Sequence, residues 1–428
     1  MTKAKLLDTY NFIKNNIYFC SSDITIGFDK YNSELIFGLL SSLLNNKILY
    51  VGEYGLGKTT LAETISSLTT NLPISIISSS SLKGHPELSY EYIVGRPDLG
   101  LLNKGEEKVL WSDFVQVPSK IIDEVNRIPE SKQNILLSGM QTNSWNFLND
   151  NYQSKSSAWF ATANYKDQGN YSIIPPLLDR FDLCLETKSP NINIARMIRS
   201  KKTASLVYSN YLNQYKKNLN TPNLDDTLND ISMSFKKELF DQYGLELLSK
   251  EEIKKINQDI KSIAFTKETN LFLDLLISEF TSCSQFGVKR STDSCPSGCH
   301  YNTYSCSKIK SPISIRTQSS IANYSKALAW LRNDNEVKMA DVVQVTPYAV
   351  WHKNFIKESY SQNKQLDKRD HPTSLEISFN LVNDVVKRFS KLKGHQEEII
   401  DYILKKDYVK AKTKAKSMDH PVFESYVK

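Results

Sequence analysis

What the chain lacks narrows the field first. No apolar run approaches the ~20 residues needed to cross a bilayer, and the 428-residue sequence is 40% hydrophobic and 24% charged, an ordinary balance for a soluble protein. The start, Met1-Thr2-Lys3-Ala4-Lys5, is basic, but Asp8, Asn11 and Lys14 interrupt any apolar stretch that could make it a secretory signal. The expectation is a cytoplasmic protein with no membrane partner. Charge of one sign is modest, a net +7, which permits contact with nucleic acid without arguing for it. Internal repeats and low-complexity tracts are absent. Glycine is scarce in one half: eleven of the 15 lie before residue 170 and four after. That asymmetry predicts a turn-rich α/β part followed by a helix-rich part, and the length predicts two or three domains.

What is present centres on Gly52-Glu53-Tyr54-Gly55-Leu56-Gly57-Lys58-Thr59, which fits G-x-x-x-x-G-K-[ST]. Lys47-Ile48-Leu49-Tyr50-Val51 before it reads as a short buried strand, and Leu61, Ile65 and Leu68 after it share one helical face. Strand before and helix after weigh against a chance glycine-rich turn. Such a loop curls around phosphates and adds the positive end of the following helix. Gly52, Gly55, Leu56, Gly57, Lys58, Thr59 and Thr60 are therefore the expected ATP cradle, with Lys58 on the β/γ-phosphates and the Thr59 hydroxyl on Mg²⁺. Lys120-Ile121-Ile122-Asp123-Glu124 reads as a strand ending in two acids. Asp123 would hold Mg²⁺ and Glu124 would deprotonate the attacking water.

Further along, 33–45 reads as a buried helix, Pro73-Ile74-Ser75-Ile76-Ile77-Ser78 as a second strand, and 90–111 as an inserted hairpin. Ala158 to Asn164 is a strand ending in an amide, and Leu177-Leu178-Asp179-Arg180-Phe181-Asp182 sets an arginine between acids. Apolar spacing predicts helices over 271–280, 320–331, 339–352 and from Ser374 on, with a Lys-rich helical run after residue 404. Cys283, Cys295, Cys299 and Cys306, with His300, fall within 24 residues. Three readings stay open for them: a structural Zn²⁺ site, one or two disulfides, or unpaired thiols.

These motifs, with Asp123-Glu124-Val125-Asn126-Arg127, Ala161-Thr162-Ala163-Asn164, Gly169-Asn170-Tyr171 through Pro175-Pro176 to Phe181, and Ser314-Ile315-Arg316, resemble the MoxR-type AAA+ ATPases of the helix-2-insert group over about 33–190 and 312–352. Tyr54 and Ile315 stand where that family usually has proline. The resemblance implies a P-loop AAA+ core with a central parallel sheet, then an α-helical lid and a C-terminal helical extension. It implies Asn164 as sensor 1, Arg180 as an arginine finger serving the next subunit, and Arg316 as sensor 2 on the lid. The hairpin at 90–112 would be the helix-2 insert, and 141–157 the insert before sensor 1.

The expected layout is a lead-in over 1–32, the AAA+ domain over 33–190, a helical insertion over 191–262, a lid over 263–352 carrying the Cys-rich insert 281–313, and a helical region over 353–428. The expected function is an ATPase working as a ring, most often a hexamer, that remodels or chaperones a partner protein, often one with a von Willebrand A-type domain. Two alternatives stand beside it. One is a nucleic-acid motor, which the run from Lys405 to Lys416 would favour, and the other a nucleotide switch without hydrolysis, which the presence of Glu124, Asn164 and Arg180 argues against.

Overall fold

The computed structural model describes residues 2–165, 171–200, 203–206, 208–281, 303–354, 356, 374–418 and 420–427. The chain divides into two compact units, residues 1–259 and 260–428. Among the described residues no helix is long and apolar enough to cross a membrane.

The first unit is built on five parallel strands: β1 (Lys47–Gly52), β2 (Leu82–Lys83), β3 (Lys120–Asp123), β4 (Trp159–Asn164) and β5 (Leu183–Glu186), in the order β5-β1-β4-β3-β2. The pairing sets Asn164 opposite Gly52 and Lys83 opposite Asp123, so the carboxyl ends of the strands come level along one edge. Both faces of such a sheet are covered, and the strands are accordingly near-continuous apolar runs: Ile48, Leu49, Ile121, Ile122, Phe160, Ala161, Leu183 and Leu185 are all at most 1% exposed. The α/β class with a helix-rich continuation is as the sequence predicts.

One strand is not. Residues 73–78 fold as part of a helix, Ile74–Ser80, and the strand that follows is only Leu82–Lys83. A short isoleucine run has no periodicity to separate helix from strand. Pro73 fits the position before a first helical turn, Ile76 and Ile77 bury, and the hydroxyls of Ser79, Ser80 and Ser81 bond back to the carbonyls of Ile76 and Ile77 at the helix end. The lead-in is also more than a lead-in. It forms a helix, Thr2–Asn16, that buries Leu6, Tyr10 and Ile13, and a small hairpin, Ile24–Ile26 with Asp29–Tyr31. The insert at 90–112 is the expected antiparallel pair, Gly95–Pro97 with Val109–Trp111, flanked by single helical turns. The 141–157 segment carries a second hairpin, Ser144–Phe147 with Asp150–Gln153.

The second unit is helical. Its main helices are Lys267–Thr281, Ile315–Leu331, Met339–Val350 and the 31-residue Ser374–Leu404, followed by Tyr408–Lys416 and Pro421–Val427. Phe272 and Phe389 meet edge to face at 5.3 Å between ring centroids. At the heart of this unit sits a fully buried carboxylate, Glu279. Arg388 donates to it twice, at 2.6 and 2.5 Å, the Ser305 amide at 3.0 Å and His420 Nε2 at 3.2 Å. Burial opposes its ionisation, but these donors outweigh burial and bring its pKa down to about 2.

Removing one partner of such a pair strands a buried charge. Arg388→Ala is expected to destabilise this unit by roughly 3–5 kcal/mol in denaturant unfolding. The native Glu279 contribution is complete above the unfolded value of ~4.3 and is lost as pH falls towards 2. A variant that unfolds at the wild-type midpoint at neutral pH would contradict this account.

Candidate nucleotide site

The phosphate loop connects β1 to the Lys58–Thr70 helix. Gly55 at φ +73° and Gly57 at φ +77° adopt a left-handed conformation that side chains resist, and Gly57 is the residue from which the helix starts. Lys58 is 7% exposed, and its Nζ donates to the Gly52 and Glu53 carbonyls at 2.9 and 2.7 Å. Burial lowers its pKa, while Asp123, Glu124 and Glu53 act in the opposite sense. The ammonium is thus folded against the loop, fixed close to where phosphates would lie.

Asp123 and Glu124 stand at the end of β3. Asp123 Oδ1 accepts the hydroxyls of Thr59 at 2.6 Å and Thr162 at 2.7 Å. The Thr162 oxygen in turn accepts the Glu124 amide at 2.8 Å. Glu124 turns its backbone into the left-handed region, φ 52° and ψ 53°, a conformation that costs a non-glycine residue of order 1 kcal/mol and is held by its surroundings. Gly84 is part of that surrounding: a Cβ there would lie 2.2 Å from the Glu124 carbonyl oxygen. The Glu124 carboxylate then receives Asn164 Nδ2 at 2.9 Å on one oxygen and Arg127 Nε at 3.1 Å on the other. Asn126 donates to the Asn164 carbonyl at 2.9 Å and fixes that strand end.

Lys58, Thr59, Asp123, Glu124 and Asn164 are therefore brought together at one edge of the sheet. A threonine hydroxyl and a carboxylate are hard oxygen donors of the kind Mg²⁺ takes, completed by phosphates and water. Among the described residues no group of three or more His, Cys, Asp or Glu side chains could hold a metal ion on its own. Arg180 follows the Pro175–Leu178 turn, is largely buried, and meets Gln141 Oε1 at 3.0 Å and Asp179 Oδ2 at 3.9 Å. Arg316 lies in the second unit, exposed in the first turn of the Ile315–Leu331 helix. Of the cysteine cluster, Cys283, Cys295 and Cys299 lie outside the described residues, as does His300, and Cys306 is buried in the short Ser305–Lys308 helix.

Two features escaped the sequence. Thr162 is the hinge between the two acids. Its signal is its place two residues before Asn164, on the same face of β4 and facing β3. The second is a cavity of about 270 Å³ that opens beside Gly55, Leu56 and Gly57 and is lined by Tyr18, Cys20, Glu34 and Ile198. Tyr18 donates its hydroxyl to Glu34 Oε2 at 2.6 Å, and burial pushes the Glu34 carboxyl up to about 7 and the Cys20 thiol up to about 12. This cavity joins the lead-in to the phosphate loop across a separation no local pattern reveals.

Residues 47–181 match the family model for the AAA domain of the dynein-related subfamily. That segment is a P-loop AAA domain. Among solved structures, the chain is similar to one from Cytophaga hutchinsonii described as a putative ATPase, at 16% identity and a TM-score of 0.59, over 89% of this chain and 94% of that one. At that identity the likeness is one of fold. No curated protein matches the chain.

Thr162→Val keeps shape and removes the hinge hydroxyl, leaving the Glu124 amide unpaired. The expected cost is about 1–3 kcal/mol of stability, measured by thermal or denaturant unfolding, with the Asp123–Thr59 contact retained. An unfolding curve that superimposes on wild type would show that the hinge is not structural.

Proposed function

We propose that the chain is an AAA+ ATPase of MoxR-like type that works as a homo-oligomeric ring, most simply a hexamer, and uses ATP hydrolysis to remodel a partner protein. The observation that carries the hydrolytic reading is the continuous row from Thr59 through Asp123, Thr162 and Glu124 to Asn164. A protein that only bound a Mg²⁺–nucleotide would use the phosphate loop, Thr59 and Asp123 but would have no need of a positioned second acid. Here a carboxylate is pre-oriented beside it by a strained backbone, an amide and a guanidinium.

In the proposed mechanism Lys58 leaves its loop carbonyls for the β/γ-phosphates, while Gly55 and Gly57 let the loop close around them. Mg²⁺ held through Thr59 and Asp123 would offset phosphate charge. Glu124 takes the proton of the attacking water. Asn164 holds Glu124 in orientation and, as sensor 1, would polarise the attacking water or read the γ-phosphate. Arg180 would act on the nucleotide of a neighbouring subunit, which is worth about 10³–10⁵ in rate. A client bearing a von Willebrand A-type domain fits the MoxR-like reading.

The nucleic-acid motor rests on the lysines near the C-terminus. In the Tyr408–Lys416 region Lys405 pairs with Asp401 at 2.8 Å, Lys410 with Asp407 at 2.9 Å and Lys414 with Glu398 at 2.7 Å, while Ala411 and Ala415 bury. Much of the positive charge is neutralised locally, and the structure adds no support for a phosphate-binding stripe.

Glu124→Gln is expected to keep ATP affinity within about threefold and to reduce turnover at least a hundredfold, whereas Lys58→Ala should weaken ATP binding itself by at least about tenfold. Calorimetry and phosphate release separate the two. Turnover by Glu124→Gln near the wild-type rate would remove the base, and wild-type ATP affinity in Lys58→Ala would remove the site.

The ring has its own test. Arg180→Ala should bind ATP and hydrolyse it slowly, and mixing it with Glu124→Gln subunits should restore part of the activity, because each supplies what its neighbour lacks. Mixed assemblies that form, as shown by native mass spectrometry, yet stay inactive would count against a shared site.

A further inference from the structure

The segment that carries Arg180 is fastened at two points to one helix, Glu130–Thr142. In the first turn of that helix Gln133, fully buried, accepts the Ile174 amide on Oε1 at 2.8 Å and donates from Nε2 to the Ser172 carbonyl at 3.1 Å. Ser172 and Ile174 lead into the Pro175–Leu178 turn that Arg180 follows. In the last turn Gln141, whose side chain lies at the surface, accepts Arg180 Nη2 on Oε1 at 3.0 Å. Gln133 therefore holds the backbone of the segment, whereas Gln141 touches the guanidinium itself.

Gln141 is itself fixed. Asn143 closes the helix in the left-handed conformation, φ 52°, with its amide on the Gly139 carbonyl at 2.9 Å, so the last turn is capped. Gly139 lies under Trp145, where a Cβ would stand 2.3 Å from the indole ring. Trp145 is buried, stacks on Trp159 at 6.2 Å between centroids and gives its ring N–H to Ser154 Oγ at 2.9 Å. At its other end the helix begins just past the Val125–Arg127 turn that follows Glu124. Its 13 residues span roughly 20 Å, so one rod runs from the acid of this subunit's own site to the arginine assigned to its neighbour's.

The chemistry of the contact suits orientation. Arginine has many rotamers, and an unheld guanidinium spends little time in any one direction. An amide oxygen fixes one N–H without cancelling the positive charge, and Asp179, at 3.9 Å from Nη1, stands beyond hydrogen-bond distance. We propose that Gln141 is a positioning residue for hydrolysis: it sets the direction of the Arg180 guanidinium, and with it the rate at which the neighbouring subunit turns over ATP. The proposal rests on the role in trans given to Arg180 above.

The test is Gln141→Met in the full chain, which keeps length and removes the acceptor oxygen. The expected result is a fall in kcat for ATP hydrolysis of about tenfold, with KM for ATP within about twofold and an unchanged unfolding midpoint. Mixing separates this from a general defect. Glu124→Gln subunits should restore activity to Gln141→Met subunits, because they bring an intact Gln141 and Arg180 to the neighbouring site. Arg180→Ala subunits should not, because neither partner then supplies a well-directed arginine. Native mass spectrometry establishes that each mixture forms mixed assemblies. Wild-type kcat in Gln141→Met, with Arg180→Ala slow, would overturn the proposal and leave the arginine finger standing. Recovery with Arg180→Ala would also overturn it, since Gln141 would then act on its own subunit's nucleotide, as would failure to recover with Glu124→Gln where Arg180→Ala does recover. Wild-type turnover by Arg180→Ala would instead remove the finger, and the role of Gln141 with it.

Discussion

A single carboxylate oxygen holds the nucleotide site together. Asp123 Oδ1 accepts one hydroxyl from the phosphate-loop helix and one from β4, while belonging itself to β3. Three elements far apart in sequence are thereby fixed at a point. Hydrogen bonds to an ionised acceptor are shorter and about twice as strong as neutral ones, so the junction is rigid as well as specific. Everything next to it inherits that geometry. Thr162 uses its remaining capacity on the Glu124 amide, which holds Glu124 in its left-handed turn and points its carboxylate at Asn164. The two acids are adjacent in sequence, yet one is locked by hydroxyls and the other is presented by an amide and a guanidinium. The two adjacent acids thus sit in different surroundings because their partners differ.

The second unit uses the same device for a different end. Glu279 gathers Arg388, His420 and the Ser305 amide from three separate segments. His420 accepts the Val422 amide on Nδ1 at 3.1 Å, so its Nε2 carries the proton that it donates to Glu279. Here the buried carboxylate fastens the last helix and the exit of the Cys-rich segment to the Lys267–Thr281 helix, and no catalytic group is involved. A partnered carboxylate is thus a fully buried fastener in one unit and, only part-buried, the meeting point of three elements in the other. The difference lies in whether a second acid stands beside it.

How much of this the sequence disclosed depends on the range of the interaction. The phosphate loop, β3 and β4 were legible because a strand, a turn and a helix each leave a local pattern, and because the loop needs glycine where φ turns positive at Gly55 and Gly57. The helices over 271–280 and 320–331 were legible from apolar spacing. Residues 73–78 were not, because Ile74, Ile76 and Ile77 satisfy either element, and what decides is serine hydroxyls that terminate a helix. The cavity at Tyr18 and Glu34 was invisible for another reason. The sequence shows only a short lead-in there, while Tyr18, just past the end of the first helix, lines the cavity together with the phosphate loop and donates to Glu34. Thr162 sat inside a recognised motif, but its work is done across strands. Local patterns were readable, as was the pairing of the loop with Asp123 and Glu124, but the side-chain hydrogen bonds that tie separate elements together were not.

The parallel sheet gives the first unit two edges, and the same rods connect them. The helix that begins with Lys58 and Thr59 carries Ser66 near its other end. β3 runs from Lys120, next to Ser119, to Asp123, and β4 runs from Trp159, just past Ser157, to Asn164. Lys120 marks the stiffness of that far edge: it is fully buried, its ammonium bonds to the Val115 and Val117 carbonyls at 3.2 and 2.5 Å, and burial lowers its pKa to about 7. A packed interior transmits displacement because it has few voids to absorb it. A change of packing at that far edge would therefore bear on the three elements that hold Thr59, Asp123 and Asn164 in register.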